Sequence, residues 1–222
     1  MVWQGNGGNV LRTVTSLLLV VASHCACATS LAVAIQDPHG HAVQDAVVIA
    51  IPTHAAPAPV RAAHAIMDQV DRTFVPNVLI VRTGTAVEFP NSDAVSHQVY
   101  SFSPAKRFEL PLYRGQPHAP IVFDRPGIVV LGCNIHDSMT GYIYVTDSPW
   151  FGKSDGEGRW QADVPAGDYR VIAWGPRFTG SDQTLGQQIS VTEGRDTVVR
   201  IQLQQPLRPK LMPRDNKRLR DY

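Results

Sequence analysis

Short apolar runs, several of them alternating with polar residues, recur along the chain after residue 28. A long apolar repeat of about 3.6 residues, which would indicate an amphipathic helix, is missing from the same stretch of sequence. Residues rich in Gly, Pro, Asp and Asn separate the runs, as turns separate strands. The runs span residues 31–35, 46–51, 78–81, 128–131, 142–145, 169–174 and 198–203. The pattern predicts an all-β fold of the sandwich type.

The first 28 residues have the pattern of a secretory signal peptide. Arg12 supplies the positive charge, residues 17–22 are an apolar run, and small residues at 26–28 fit a cleavage site. One alternative is an uncleaved membrane anchor, but the apolar run is too short to span a bilayer comfortably. Another is a lipoprotein attached through Cys25, which the bulky His24 just before it disfavours. We therefore predict a signal peptide at 1–28, a periplasmic protein, and no stable membrane insertion after cleavage.

Cleavage would change the cysteine content, because Cys25 and Cys27 would leave with the signal peptide. Cys133 would then be the one cysteine of the mature chain, which therefore could not form an internal disulfide. An unpaired thiol in an oxidising compartment needs something to hold it, and metal ligation would do so. The alternative is a buried, inert cysteine.

The charge balance argues against a nucleic-acid partner. Without residues 1–28 the chain has 19 basic and 19 acidic residues, and the segment 205–222 alone holds six of the basic ones and two of the acidic ones. The rest of the chain therefore has no basic surplus of the kind that nucleic-acid-binding domains show. We expect residues 205–222 to form a disordered basic tail.

The order of sequence patterns suggests one domain inserted into another. Residues 54–65 lie in an Ala- and Pro-rich stretch that predicts a linker. Residues 30–53 resemble the opening of an immunoglobulin-like domain of the carboxypeptidase-regulatory type, and residues 150–204 resemble its later half. Neither part has enough strands to bury a core by itself. We expect a split Ig-like β-sandwich from these two parts with residues 66–149 between them, or two separate modules joined in sequence.

The candidate chemistry lies in and before the loop that follows the apolar run 128–131. Cys133, His136 and Met139 fall within seven residues, and His97 lies 36 residues upstream of the cysteine. A thiolate, two imidazoles and a weak thioether are the ligand set of a blue-copper site. Zinc could use the cysteine and the histidines, but a thioether is a poor zinc ligand.

An apolar shell should surround such a site, because the shell controls solvent access and the reduction potential. The candidates for this shell are Phe89, Val99, Phe102, Ile135 and Tyr142, all of which could equally be ordinary core residues.

Residues 67–146 resemble the cupredoxins of the plastocyanin and amicyanin type. The matching positions are Phe74, Pro76, Val81, Gly84, Val87, Phe89, Asn91, His97, Gly127, Cys133, His136, Met139, Gly141, Ile143 and Val145. The resemblance implies a Greek-key β-sandwich that binds one copper ion through His97, Cys133, His136 and Met139. It also implies electron exchange with a redox partner protein in the periplasm. The whole chain resembles exported proteins described as methylamine utilization proteins.

The predicted function is that of a one-electron carrier and not of an enzyme, because four ligands leave no vacant position for a substrate. A copper-delivery protein, a mononuclear enzyme similar to red-copper proteins, and a metal-free Ig-like structural module are the alternatives. Asp137 follows His136 directly, so a carboxylate is expected close to the metal. The sequence indicates neither the identity of the redox partner nor an oligomeric state.

Overall fold

The computed structural model describes residues 1–2, 29–54, 63–115, 119–180 and 185–209. Strands dominate these ranges, and they contain no α-helix, which confirms the predicted all-β fold. The predicted signal peptide from residue 3 onwards, the centre of the predicted linker and the tail from residue 210 lie outside the described residues. Within the described ranges, no helix is long and apolar enough to cross a membrane.

The strands agree closely with the apolar runs of the sequence. They are β1 Thr29–Gln36, β2 Val47–Pro52, β3 His64–Ile66, β4 Asp68–Val70, β5 Thr73–Val75, β6 Val78–Arg82, β7 Thr85–Glu88, β8 His97–Ser103, β9 Lys106–Tyr113, β10 Ile121–Phe123, β11 Gly127–Gly132, β12 Thr140–Thr146, β13 Trp150–Lys153, β14 Arg159–Val164, β15 Gly167–Trp174, β16 Leu185–Val191 and β17 Thr197–Gln202.

The first two strands form two sheets with the last five, and we call these seven strands the outer group. One sheet has the order β14-β1-β17 and the other has the order β13-β2-β15-β16. Strand β1 turns Leu31, Val33 and Ile35 into a buried apolar cluster that both sheets share. The alternation of buried and partly buried residues along β1 is what a strand with one core-facing side requires.

Strands β3 to β12 form the inserted group. Its largest sheet has the order β6-β12-β11-β8-β9, and a smaller one has the order β10-β7-β3. Strands β4 and β5 form a separate hairpin. Phe74, Phe89, Phe123, Leu131 and Ile143 are fully buried in one cluster, and Cys133 belongs to that cluster too. The cysteine therefore lies within a packed core.

A third apolar cluster joins the two groups. Trp174 of β15 lies against Tyr142 and Tyr144 of β12, with ring centroids 5.6 Å apart in each pair. Val47 and Val78 complete the contact from β2 and β6. Strand β12 therefore buries one face in the inserted core and lays its two tyrosines against the outer group.

Two expectations need correction. Strand β3 begins at His64, so regular structure starts inside the stretch predicted as a linker and pairs there with β7. Only Phe89 and Val99 of the proposed apolar shell lie in the cluster that contains Cys133. Phe102 and Ile135 are 73% and 52% exposed, and Tyr142 packs in the junction cluster instead.

Candidate metal centre

Strand β11 delivers Cys133 to the core. The strand ends at Gly132, and the cysteine that follows is 3% exposed. A Cβ at Gly132 would lie 2.6 Å from Cζ of Tyr100, so the tyrosine ring covers the backbone at this point. Glycine allows this close approach, which a Cβ at this position would prevent.

The loop after Cys133 makes tight turns before β12 begins. The His136 amide donates to the Cys133 carbonyl at 3.4 Å, and the Met139 amide donates to the His136 carbonyl at 2.8 Å. Asn77 anchors the end of the loop, because its Nδ2 donates to the Thr140 carbonyl at 2.7 Å. These turns fold Cys133, His136 and Met139 back upon one another.

His97 comes from the strand next to β11. It opens β8, pairs with Tyr113 of β9 and is 0% exposed. Its Nδ1 lies 3.8 Å from Cys133 Sγ, and its ring centroid lies 5.0 Å from that of His136. The distant histidine therefore lies beside the loop residues Cys133 and His136.

Together these side chains form a cluster of three donor atoms within 4.8 Å of one another, one each from His97, Cys133 and His136. The Nδ1 atom of His136 is buried and has no hydrogen-bond partner. A buried polar atom without a partner is costly unless something binds it. A soft thiolate with two imidazoles suits copper, and the unpartnered Nδ1 fits a metal ligand.

The charge state of His136 also suits a ligand role. Its pKa is lowered chiefly by burial, then by the neighbouring His97 and Arg72, while Asp93 acts in the opposite direction. The neutral imidazole, which is the form that binds metals, is therefore favoured at neutral pH.

Met139 is buried in the same apolar cluster as Cys133. It lies three residues beyond His136 and immediately before β12. Its assignment as the axial ligand stays a prediction. Asp137 is exposed, so the carboxylate expected near the metal lies on the solvent side of the loop.

Asp93 belongs to the Phe-x-Asn-x-Asp-x-x-x-His pattern before the metal site, but no role of its own was predicted for it from the sequence. His97 Nε2 donates to Asp93 Oδ2 at 2.9 Å, on the opposite side of the ring from the cysteine. Burial acts to raise the pKa of the Asp93 carboxyl, but hydrogen bonds from His97 and from the amides of Arg72 and Ala94 outweigh it and lower the pKa. The carboxylate form is therefore favoured. The position of Asp93 within this pattern does not by itself reveal which atom of His97 its carboxylate contacts.

A hydrogen-bonded network supports the segment that leads to His97. Asn91 Nδ2 donates to the carbonyls of Val95 and Tyr113, at 3.0 and 2.8 Å. The Tyr113 hydroxyl donates to the Phe89 carbonyl at 2.5 Å. The pKa of Tyr113 is raised to about 12, first by burial and then by electrostatic interaction with Asp68 and Cys133. These contacts hold the loop before β8 in one conformation.

Known proteins share part of this architecture. No protein-family model matches the chain, and no curated protein matches it either. Part of the chain resembles the cupredoxins. One similar solved structure is a purple cupredoxin from Nitrosopumilus maritimus, which is 23% identical with a TM-score of 0.33 over 38% of this chain and 99% of that one.

Two further structures cover a similar share of the chain. An amicyanin variant in its reduced state is 20% identical with a TM-score of 0.34, over 44% of this chain and 98% of its own. A Cu-containing nitrite reductase from Thermus scotoductus is 27% identical with a TM-score of 0.36, over 42% of this chain. This chain covers only 25% of the reductase. Because every one of these TM-scores is below 0.5, the assignment of the site rests on the geometry of the chain itself.

Proposed function

We propose that this protein is an exported type 1 copper protein that carries single electrons in the periplasm. The observation that supports the proposal most strongly is the buried cluster of His97, Cys133 and His136, whose donor atoms lie within 4.8 Å. In this proposal Met139 is the weak axial ligand. Copper, when bound there, would supply the change between the cuprous and cupric states.

The side chains have distinct tasks in such a carrier. Cys133 binds as the thiolate, a form that coordination to a metal favours. His97 and His136 bind as neutral imidazoles. The core of Phe89, Leu131 and Val99 excludes water from the thiolate and keeps the ligands in place. A site that changes little between two oxidation states exchanges electrons with little rearrangement.

His136 provides the route for electrons in this proposal. Its side chain is partly exposed, whereas His97 and Cys133 are buried. The protein surface next to it includes the exposed side chains of Ile135 and Asp137. A redox partner that docks at this loop would reach the metal through a single imidazole ring.

The proposal can be tested with the full chain, expressed with its own N-terminal segment, and with a Cys133→Ser variant as the control. Copper(II) is added, and optical and electron-paramagnetic spectra are recorded during a redox titration. We expect an intense thiolate-to-copper band that bleaches reversibly with one electron per copper and is missing from the variant.

The alternatives predict different results in the same experiment. A spectrum that azide shifts would indicate an open site and favour an enzyme. Copper that a mild chelator removes easily would favour a delivery protein. No uptake of copper would contradict the proposal and favour the alternative of a metal-free structural module.

A further inference from the structure

Both ring nitrogens of the fully buried His97 have a partner on the protein. Nδ1 faces Cys133 Sγ at 3.8 Å, and Nε2 lies 2.9 Å from Asp93 Oδ2. An ionised carboxylate can only accept hydrogen bonds, so Nε2 carries the ring proton. The lone pair of Nδ1 then points to the side where the other two donor atoms lie.

Asp93 is itself held in place by backbone groups. The Arg72 amide donates to Oδ2 at 2.8 Å, and the Ala94 amide donates to Oδ1 at 2.8 Å. The Asp93 amide donates in turn to Asn91 Oδ1 at 3.0 Å. The side chain of Asp93 is only 13% exposed. A carboxylate with this many fixed partners has little freedom to leave the histidine.

One of these partners comes from the turn between β4 and β5. Asp71 and Arg72 both have positive φ angles, 49° and 58°, which non-glycine residues seldom adopt. That backbone conformation accompanies the hydrogen bond from the Arg72 amide to Asp93. The β4–β5 hairpin, which has no predicted role in the chemistry, thus contacts Asp93, and Asp93 contacts His97.

We propose that Asp93 is a positioning residue, which fixes the tautomer and orientation of His97 and lowers the reduction potential of the metal that His97 binds. This inference rests on the proposed function. A carboxylate that accepts the second N–H of a ligating histidine makes the imidazole a stronger donor. A stronger donor stabilises cupric over cuprous copper, and the potential falls.

The competing explanation is that Asp93 only fastens the loop to the β4–β5 hairpin. Asp93→Asn separates the two explanations, because asparagine keeps an oxygen acceptor and the size of the side chain but loses the charge. Asp137→Asn is the matched control, because it removes an exposed carboxylate from the residue next to His136 and leaves Asp93 in place.

The experiment measures three quantities on the wild-type protein, Asp93→Asn, Asp93→Ala and Asp137→Asn. They are the ¹⁵N shifts of the His97 ring without metal, the affinity for copper(II), and the reduction potential with copper. We expect the Nε2–H tautomer in the wild type and its loss in Asp93→Ala. Loss of the partner of a ligating histidine typically costs 10–100-fold in metal affinity, and we expect that loss in Asp93→Ala.

For Asp93→Asn we expect about a tenfold weaker preference for cupric copper, which corresponds to a rise of about 59 mV in the potential. Asp137→Asn should change the potential less. Equal shifts in Asp93→Asn and Asp137→Asn would overturn the inference, and so would a wild-type His97 that carries its proton on Nδ1. The last result needs no variant to fold.

Failure of the proposed function would look different. If the wild type takes up no copper, the proposed function is wrong, and the ¹⁵N shifts of the metal-free protein still decide whether Asp93 sets the tautomer. If copper binds normally and all the variants match the wild type, only the role of Asp93 is wrong.

Discussion

Replacement of Trp174 by alanine should uncouple the inserted group of strands from the outer group. The indole is the largest side chain of the junction cluster, and it makes edge contacts with Tyr142 and Tyr144 at interplanar angles of 63° and 64°. Removal of a buried aromatic side chain from a core costs about 3–5 kcal/mol. Two aromatic pairs are lost together, so we expect a value near the upper end of that range.

The matched control is Trp150→Ala. Trp150 makes one edge contact, with Tyr169 at 5.7 Å, and packs against the core of the outer group. Its loss should therefore destabilise the outer group without separating the two groups. The comparison isolates the effect of the junction from the general effect of losing an indole.

The assay is amide hydrogen exchange, which reports the opening free energy of each strand. In the wild type we expect β1 and β17 to open with the same free energy as β11 and β12. In Trp174→Ala the two pairs of strands should differ, and the variant should lose several kcal/mol of stability. A loss below about 1 kcal/mol, or identical opening free energies in all four strands, would refute the reasoning.

Three further predictions concern single residues. Gly141→Ala places a Cβ 2.7 Å from Phe74 Cβ, so it should lower the free energy of unfolding in denaturant by about 1–3 kcal/mol. In the control Gly156→Ala the added Cβ has no neighbour within 4 Å, so stability should not change, and equal unfolding midpoints for the two variants would contradict this prediction. Tyr113 has a folded-state pKa of about 12 against an ordinary value of 10.0, so the stability it contributes is complete below pH 10 and is lost as the pH rises towards 12. Tyr113→Phe should flatten that alkaline loss in pH-dependent melting, and an unchanged profile would argue against it. Met139→Leu should keep copper but raise the potential in a redox titration, because the weak axial donor to cupric copper is gone; an unchanged potential would mean that Met139 is not a ligand.

The apolar runs of the sequence were sufficient to predict where strands form, including β11, which leads to Cys133. Residues 31–35 of β1 and 128–131 of β11 are apolar throughout, and short apolar runs of this kind between turn residues predict strands. The spacing of Cys133, His136 and Met139 just after a predicted strand likewise placed these residues in one loop. Local signals of this kind depend only on neighbours in the chain.

Two errors in the predicted apolar shell concern which face of its strand a side chain occupies. Strand β8 turns His97, Val99 and Ser101 inward, so Phe102, at an odd distance from His97, must face outward. The same parity places Tyr142 on the junction side of β12, opposite Ile143. The orientation of Phe102 follows from the alternation once His97 is taken to face inward, and that of Tyr142 follows once Ile143 is taken to face the core.

Other features depend on contacts that no local pattern reveals. Ile135 lies in a loop without periodicity, so its exposure is set by the turns around it. The role proposed for Asp93 depends on its hydrogen bonds with the Arg72 amide and the His97 ring, which come from other segments of the chain. Contacts among three separate segments can be identified only from the folded structure.

The most direct test of the metal site is a crystal structure of the full chain grown with copper, with anomalous diffraction measured at the copper edge. We expect a single strong peak within bonding distance of His97 Nδ1, Cys133 Sγ and His136 Nδ1. A peak elsewhere, or none at these three atoms while the crystals contain copper, would contradict the central claim.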